Sequence, residues 1–201
     1  MEAKAYLPEE KYYSKAEYFA LEKEKQEKYE YHDGQVYAMS GGTLRHSLLC
    51  SNIVYQLNGK LRSKKDCLAL ESNLKIDIFT RNHYLYADAF VICGKPVFSE
   101  DREDIVQNPV LIVEVLSKST ESYDRTGKFD KYRSLPSFKE YVLIAQSEMR
   151  VEVFFKQDES HWFYRVYTQP EETVALQAIA VQINVKDIYD KVELGEEMEE
   201  I

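Results

Sequence analysis

The segment Val110-Leu111-Ile112-Val113-Glu114-Val115-Leu116 decides the fold. It is an apolar run of strand length between Pro109 and Ser117, which is typical of a central strand covered on both faces. An ionised carboxylate inside such a strand costs several kcal/mol unless a counter-charge or a metal lies beside it. Glu114 therefore either pairs with a lysine or arginine for structural reasons or belongs to a functional site.

A second acid lies in a similar apolar setting. Asp88 falls within a candidate strand that runs from Tyr84 to Ile92. If this strand pairs with the one that carries Glu114, two carboxylates come close, and both stay ionised only with a cation between them. Mg²⁺, or Mn²⁺ in its place, suits such a site because it needs one or two carboxylates plus water and substrate phosphate. The alternative is that Asp88 lies at a strand end in solvent.

The segment after the Glu114 strand carries a third element. Tyr123 to Leu135 reads as a helix that stops before Pro136, and Asp124, Lys128 and Tyr132 share one of its faces because they are four residues apart. A solvated acid–base pair worth about a few tenths of a kcal/mol is one interpretation. Because the helix directly follows the strand, its inward face can also overhang the strand's carboxyl end.

The flanking sequence supplies the remaining elements. A capping box from Ser14 to Glu17 predicts a helix to about Lys28, and Asp33-Gly34 predicts the turn of a hairpin over 29–38. A break over 40–43 precedes a second helix, whose buried stripe consists of Leu49, Ile53, Leu57 and Leu61. Further strands are predicted around 74–78, 140–145, 150–155 and 162–167. The pattern predicts an α/β (α+β) fold with a mixed sheet flanked by helices.

The chain of 201 residues suits one well-buried core. We expect an N-terminal arm over 1–13, a single domain over 14–190 and an acidic tail over 191–201. The net charge of −9 argues against tight binding of naked duplex DNA, although five glutamates of the tail account for more than half of it.

Composition and terminal sequence also bear on location. Cys50, Cys67 and Cys93 are odd in number and contain no Cys-x-x-Cys pair, which favours reduced thiols in the cytoplasm over a disulfide frame or a structural zinc site. No run of 18 apolar residues and no secretory signal is present, so we expect no membrane association.

The order of acid strand, glutamate strand and Asp-x-x-x-Lys-x-x-x-Tyr helix resembles the Uma-type restriction endonucleases of the PD-(D/E)XK superfamily. The likeness covers roughly Ser14 to Tyr167. The matching positions are Glu30 to Gly34, Ser40-Gly41, His46, Asp88, Asn108-Pro109, Glu114-Val115-Leu116-Ser117, Asp124, Lys128 and Tyr132. Two positions depart from the pattern: Ala87 replaces a proline, and Leu116 stands where the strict superfamily motif has lysine.

The resemblance implies a restriction-endonuclease-like fold and Mg²⁺-dependent hydrolysis of phosphodiesters in DNA. Asp88, Glu114 and the main-chain carbonyl of Val115 would hold the metal, with Glu30 acting through a second ion or water. Lys128 would replace the missing motif lysine. Asp124 and Tyr132 would position it. His46 matches a family histidine, although a lone histidine at a helix start is more often a hydrogen-bonded structural residue.

The implied partner is DNA, bound weakly and with strong salt dependence, and a homodimer is expected. Two other functions stay open. One is a catalytically silent binding or assembly module in which the same residues form a structural ion-pair network. The other is a metal-dependent hydrolase of small phosphoesters, whose sign would be a closed pocket instead of an open groove.

Overall fold

The computed structural model of the protein describes residues 11–39, 41–99 and 102–195. Ser40, residues 1–10 of the predicted arm and residues 196–201 of the predicted tail lie outside the described residues. The helical segments are α1 Lys15–Lys25, α2 Leu44–Leu61, α3 Glu121–Tyr123, a π-helix Asp124–Lys128, α4 Phe129–Tyr132 and α5 Val185–Ile188. We call the continuous run from α3 through the π-helix to α4 the composite helix. The proposed division into arm, domain and tail remains a prediction.

The strands form three sheets. Their bounds are β1 Tyr29–His32, β2 Gln35–Ala38, β3 Cys67–Glu71, β4 Lys75–Ile78, β5 His83–Leu85, β6 Ala89–Cys93, β7 Phe98–Ser99, β8 Arg102–Val106, β9 Leu111–Leu116, β10 Glu140–Ala145, β11 Val151–Lys156, β12 Trp162–Tyr167, β13 Thr173–Leu176 and β14 Val181–Asn184. The first sheet has the order β12-β11-β10-β9-β6-β3, the second has the order β2-β1-β5-β4-β8-β7, and β13 pairs with β14. The predicted mixed α+β class is confirmed.

Strand β9 lies inside the first sheet, parallel to β10 and antiparallel to β6. All six of its residues are buried, as the apolar run predicts. Val113 and Val115 face a core that includes Leu49 and Ile53 of α2. The opposite face belongs to a second core, which includes Tyr132 of the composite helix. Helices on both faces thus place Glu114 between the sheet and the composite helix.

The local signals near the N-terminus gave the correct elements. Ser14 and Glu17 form the predicted capping box of α1, which ends at Lys25 because Gln26 adopts a left-handed conformation with φ 57°. Asp33 and Gly34 both have positive φ, 48° and 99°, as a two-residue hairpin turn requires. In α2 the predicted stripe at four-residue spacing is buried as expected.

The predicted strand from Tyr84 to Ile92 is wrong as a single element. Its first part is β5, which pairs with β1 and β4 in the second sheet. Its second part is β6, which pairs with β3 and β9 in the first sheet. The chain crosses between the sheets over residues 86–88, so Asp88 lies in a bend just before β6 and not inside a strand. The prediction failed because a continuous apolar run does not reveal a change of pairing partner.

The expectation of three reduced thiols is also wrong. Cys67 and Cys93 lie directly opposite each other on the antiparallel pair β3 and β6, and they form a disulfide. Their 26-residue separation gave no local signal of this pairing. Cys50 is the free cysteine of the described residues. A cytoplasmic location therefore loses the support that it drew from the thiols. Among the described residues, no helix is both long and apolar enough to cross a membrane.

A buried acid in β10 gives the fold a testable pH dependence. Glu140 is fully buried, and its carboxylate accepts hydrogen bonds from the backbone N–H groups of Gln177 and Ala178, at 2.9 and 3.0 Å. Burial raises its pKa from 4.5 to about 7, although the two N–H groups oppose the shift. The unfolded chain ionises this group at lower pH, so its stabilising contribution is lost as the pH rises from about 4.5 to about 7.

Replacing Glu140 with glutamine should remove this loss. Between pH 5 and 8 the native protein should lose roughly 2 kcal/mol more free energy of unfolding than Glu140→Gln, by the usual conversion of a pKa shift into stability. Urea unfolding at both pH values measures the difference. The exposed Glu171→Gln is the control and should follow the native protein. Equal pH dependence in the native protein and Glu140→Gln would contradict the buried-acid argument.

Candidate functional site

Glu114 lies at the centre of the site and is 2% exposed. Its Oε1 accepts hydrogen bonds from Lys128 Nζ at 3.1 Å and from the Tyr132 hydroxyl at 2.9 Å. Burial raises the pKa of Glu114 well above its ordinary value, and the nearby charges of Asp88 and Asp124 add to this rise, against the effects of Lys128 and Tyr132. Among the residues that the structure describes, both of these hydrogen bonds end on Oε1 and none on Oε2.

Lys128 is the buried cation that faces Glu114. Its Nζ also lies 3.6 Å from Glu30 Oε1 and 3.5 Å from Asp124 Oδ1, and it donates a hydrogen bond to the carbonyl of Tyr86 at 3.1 Å. Burial lowers the pKa of Lys128, but the surrounding carboxylates outweigh it and raise the pKa well above its ordinary value. Lys128 therefore stays charged, and its ammonium joins the composite helix to both sheets.

The π-helix explains how Asp124 and Lys128 reach the site together. A π-helical turn is wider than an α-helical one, and such turns are frequent at functional sites. Gly127 lies inside it, and a Cβ there would be 2.6 Å from the Tyr123 ring, so this position has no room for a side chain. The four-residue spacing predicted the shared face, but the sequence contained no clear signal for the π-helix.

Asp88 approaches Glu114 from the bend that precedes β6. The antiparallel register pairs Ala89 with Val113, so the next positions outward are Asp88 and Glu114. Asp88 Oδ2 accepts the Val115 N–H at 2.7 Å and lies 3.3 Å from His46 Nε2. The hydrogen bond to Asp88 raises the pKa of His46, against the effect of burial. Among the described residues, both contacts of the Asp88 carboxylate end on Oδ2.

Glu30 is held from the second sheet. Its Oε1 accepts the Tyr86 N–H at 3.2 Å, and its Oε2 lies 3.1 Å from His32 Nε2. Burial favours a higher pKa for Glu30, but Lys128, His32 and the Tyr86 N–H together lower it below the ordinary value. Glu30 is thus ionised, and both of its oxygens already have partners. It fits the role of a counter-charge to Lys128 better than that of a metal ligand.

His32 is a site residue that the sequence did not single out. Besides Glu30, its ring contacts Lys131 Nζ at 3.2 Å and the Tyr123 hydroxyl at 3.4 Å. Its position two residues after Glu30 on β1 was the available signal, because alternate residues of a strand face the same side. The contact extends the site from the two sheets to the outer part of the composite helix.

The structure thus brings together the side chains of Glu30, His46, Asp88, Glu114, Asp124, Lys128 and Tyr132. Val115, predicted to offer its carbonyl to the metal, joins them through its N–H. Within the described residues, the ammonium of Lys128 is surrounded by more carboxylates than it can neutralise. Asp124 Oδ1 is buried and accepts no hydrogen bond there. That oxygen faces the Lys128 ammonium at 3.5 Å. The carboxylates of Asp88 and Glu114 offer oxygen ligands of the kind that Mg²⁺ prefers.

Comparison with known proteins places the chain in a family. The family model "Uma2: Putative restriction endonuclease" matches residues 16–186. The chain is 35% identical over 178 residues to "Uncharacterized protein slr1290" of Synechocystis sp., with 88% of this chain and 90% of that protein covered. It is 33% identical over 147 residues to "Uncharacterized protein sll1609" of the same strain, with 73% and 82% covered.

A solved structure has the same fold. It is the crystal structure of "a putative nuclease belonging to DUF820" from Anabaena variabilis ATCC 29413, with a TM-score of 0.66, 19% identity and coverage of 82% of this chain and 90% of that one. At this identity the likeness shows the fold alone, which is the predicted restriction-endonuclease-like one. The sequence match over most of the chain carries the assignment. The protein belongs to the Uma2 family, described as "Putative restriction endonuclease".

Proposed function

We propose that the protein is a Mg²⁺-dependent endonuclease that hydrolyses phosphodiester bonds in DNA. One observation carries the proposal: the carboxylates of Glu30, Glu114 and Asp124 surround the buried ammonium of Lys128 at the positions that match the family pattern. A divalent cation would neutralise the excess negative charge that Lys128 leaves uncompensated.

The chain's own residues have distinct roles in this proposal. Asp88 and Glu114 would hold the cation together with the Val115 carbonyl, and Asp124, 3.5 Å from the Lys128 ammonium, would position that lysine. When bound, the cation would supply Lewis-acid chemistry, lowering the pKa of a water and neutralising charge on the phosphate. Lys128 lies beside Glu114, where its ammonium can orient the attacking water or stabilise negative charge that develops on the phosphate.

Fixed neighbours hold these groups in position. Tyr132 donates to the same Glu114 oxygen as Lys128, which keeps that carboxylate oriented with one oxygen inward. The backbone of Tyr86 binds Glu30 through its N–H and Lys128 through its carbonyl. Such preorganised partners lower the cost of arranging charges during the reaction. Asp88 is the more exposed of the two proposed carboxylate ligands, so substrate would approach from its side of the site.

Two observations support the rival functions, so the experiment must test them as well. The short contacts of Lys128 to Glu114 and to the Tyr86 carbonyl already resemble a satisfied structural network, which favours a silent module. A cleft of about 330 Å³ beside Asp88 has the size of a small-ligand pocket, as a hydrolase of small phosphoesters requires, although it is open to solvent and not closed. DNA cleavage separates the proposed nuclease from both rivals, and hydrolysis of a small phosphodiester separates the two rivals from each other.

The native protein should nick or cut DNA with Mg²⁺ or Mn²⁺, and EDTA should stop it. Asp88→Ala should abolish cleavage, whereas Asp130→Ala, which removes an exposed carboxylate of the composite helix, should not. Because the chain is acidic, binding should be weak and should weaken further with added salt. Metal binding without cleavage of duplex or single-stranded DNA would support the silent module. Hydrolysis of a small phosphodiester but not DNA would support the third function.

A further inference from the structure

A second group of ligating side chains lies next to the proposed Mg²⁺ centre, on its α2 side. His46 and Cys50 are one helical turn apart, and both face Asp88. The His46 ring lies between the other two, with Nε2 3.3 Å from Asp88 Oδ2 and Nδ1 3.4 Å from Cys50 Sγ. With one ligand atom from each residue, all three atoms lie within 4.8 Å of one another. Small side-chain rotations would bring them to the spacing of one coordination sphere.

The donor types distinguish this group from the Mg²⁺ centre. Mg²⁺ takes oxygen ligands in octahedral geometry, whereas thiolate and imidazole are ligands of Zn²⁺ and similar cations. Zn²⁺ binds sulfur at about 2.3 Å and nitrogen or oxygen at about 2.0–2.2 Å, commonly with three protein ligands and one open position. The set of His46, Cys50 and Asp88 supplies one donor of each kind. Cys50 is a free thiol and does not take part in the Cys67–Cys93 disulfide.

The local backbone and surface leave room for an ion. Gly42 precedes α2, and a Cβ at this position would lie 2.8 Å from His46 Nδ1, so a larger residue would displace the ring. The cleft of about 330 Å³ is lined by Cys50 and Asp88 themselves, together with Glu71 and Ser51. An ion can therefore enter from solvent, and water or a further carboxylate can complete its coordination.

We propose that His46, Cys50 and Asp88 form a binding site for Zn²⁺ or a similar thiophilic divalent cation, distinct in its ligands from the Mg²⁺ centre. The two sites share Asp88. An ion held by His46 and Cys50 draws this carboxylate away from Glu114, so the two cations compete. This second consequence rests on the proposed nuclease function, whereas the site itself does not.

Binding is tested with Co²⁺ alone, as a coloured substitute for Zn²⁺, under non-reducing conditions that keep Cys67 and Cys93 paired. The native protein should show a near-ultraviolet cobalt–thiolate band, which an equimolar amount of Zn²⁺ abolishes and an equimolar amount of Mg²⁺ does not. Cys50→Ala should lose the band, and His46→Ala should weaken Co²⁺ binding at least tenfold. Ser51→Ala, next to Cys50 in the same cleft, should behave as the native protein. No thiolate band in the native protein, or an unchanged band in Cys50→Ala, would overturn the site.

The consequence for activity needs a separate measurement. Zn²⁺ is added to the Mg²⁺-activated cleavage reaction, and each protein is compared with its own rate without Zn²⁺. At one Zn²⁺ concentration, the rate of the native protein should fall at least tenfold, whereas the rate of Cys50→Ala should fall less than twofold. Equal inhibition of both proteins would refute competition through this site. A cobalt–thiolate band in a protein that never cleaves DNA would leave the cation site standing and refute the nuclease proposal. DNA cleavage without any cobalt–thiolate band would refute the cation site and leave the nuclease proposal standing.

Discussion

Replacing Lys128 with alanine should lower Mg²⁺-activated DNA cleavage by about two to three orders of magnitude, the usual loss when one preorganised charge stabiliser is removed. The ammonium lies 3.1 Å from Glu114 and is held by the Tyr86 carbonyl, so it is fixed before substrate arrives. Lys128→Arg should not restore full activity, because a planar guanidinium cannot replace a compact ammonium against one water. Single-turnover rates at saturating Mg²⁺ measure the effect directly.

The variant also removes the positive charge among several buried carboxylates, so loss of folding is the main competing explanation. Lys128→Met keeps most of the apolar side-chain stem, and its activity should fall as far as that of Lys128→Ala. Circular dichroism and metal titration would show whether each variant is folded and still binds Mg²⁺. Lys118→Ala, an exposed lysine between β9 and the composite helix, should retain full activity. A folded, metal-bound Lys128→Met with native activity would remove Lys128 from the mechanism.

The central part of the site could be predicted because its signals are local. An acid inside a fully apolar strand is expensive, and three polar residues at four-residue spacing after that strand indicate one helix face. The structure places these groups together: Lys128 contacts Glu114, and Tyr132 donates to the same oxygen. Parallel β9 and β10, joined through the composite helix, bring that face over the strand.

Features that depend on distant pairing could not be predicted in this way. The Tyr84–Ile92 segment is apolar apart from Asp88, and nothing in it indicates that β5 and β6 belong to different sheets. The same limit applies to Cys67 and Cys93, which meet because β3 and β6 pair in one register. His32 enters the site through contacts with the composite helix, 91 residues later at Tyr123. Hydrophobic patterns identify buried faces but not which strands become neighbours.

Replacing Glu114 with glutamine should separate the structural role of the carboxylate from its proposed role in metal binding. The amide oxygen can still accept from Lys128 and Tyr132, so the hydrogen bonds to Oε1 are kept. One negative charge is removed from a buried group that also contains Glu30 and Asp124. Without metal, thermal stability should therefore be equal to or above that of the native protein. A large loss would mean that Glu114 serves as the essential partner of Lys128.

With Mg²⁺ present, the native protein should gain thermal stability that Glu114→Gln does not gain. A cation that binds only the folded chain stabilises it by about 2.7 kcal/mol when its free concentration is a hundredfold above Kd. For a chain of this length, such a gain raises Tm by roughly 5–11 °C. The native protein should show this rise, and Glu114→Gln should show none, because its amide supplies no charge to the ion.

Glu152→Gln is a useful control, since Glu152 is equally buried but paired with Arg125 and Arg150 instead of the Lys128 group. It should lose stability without metal, yet keep the Mg²⁺-dependent rise. A rise in Glu114→Gln equal to that of the native protein would place the ion elsewhere and leave Glu114 a purely structural residue.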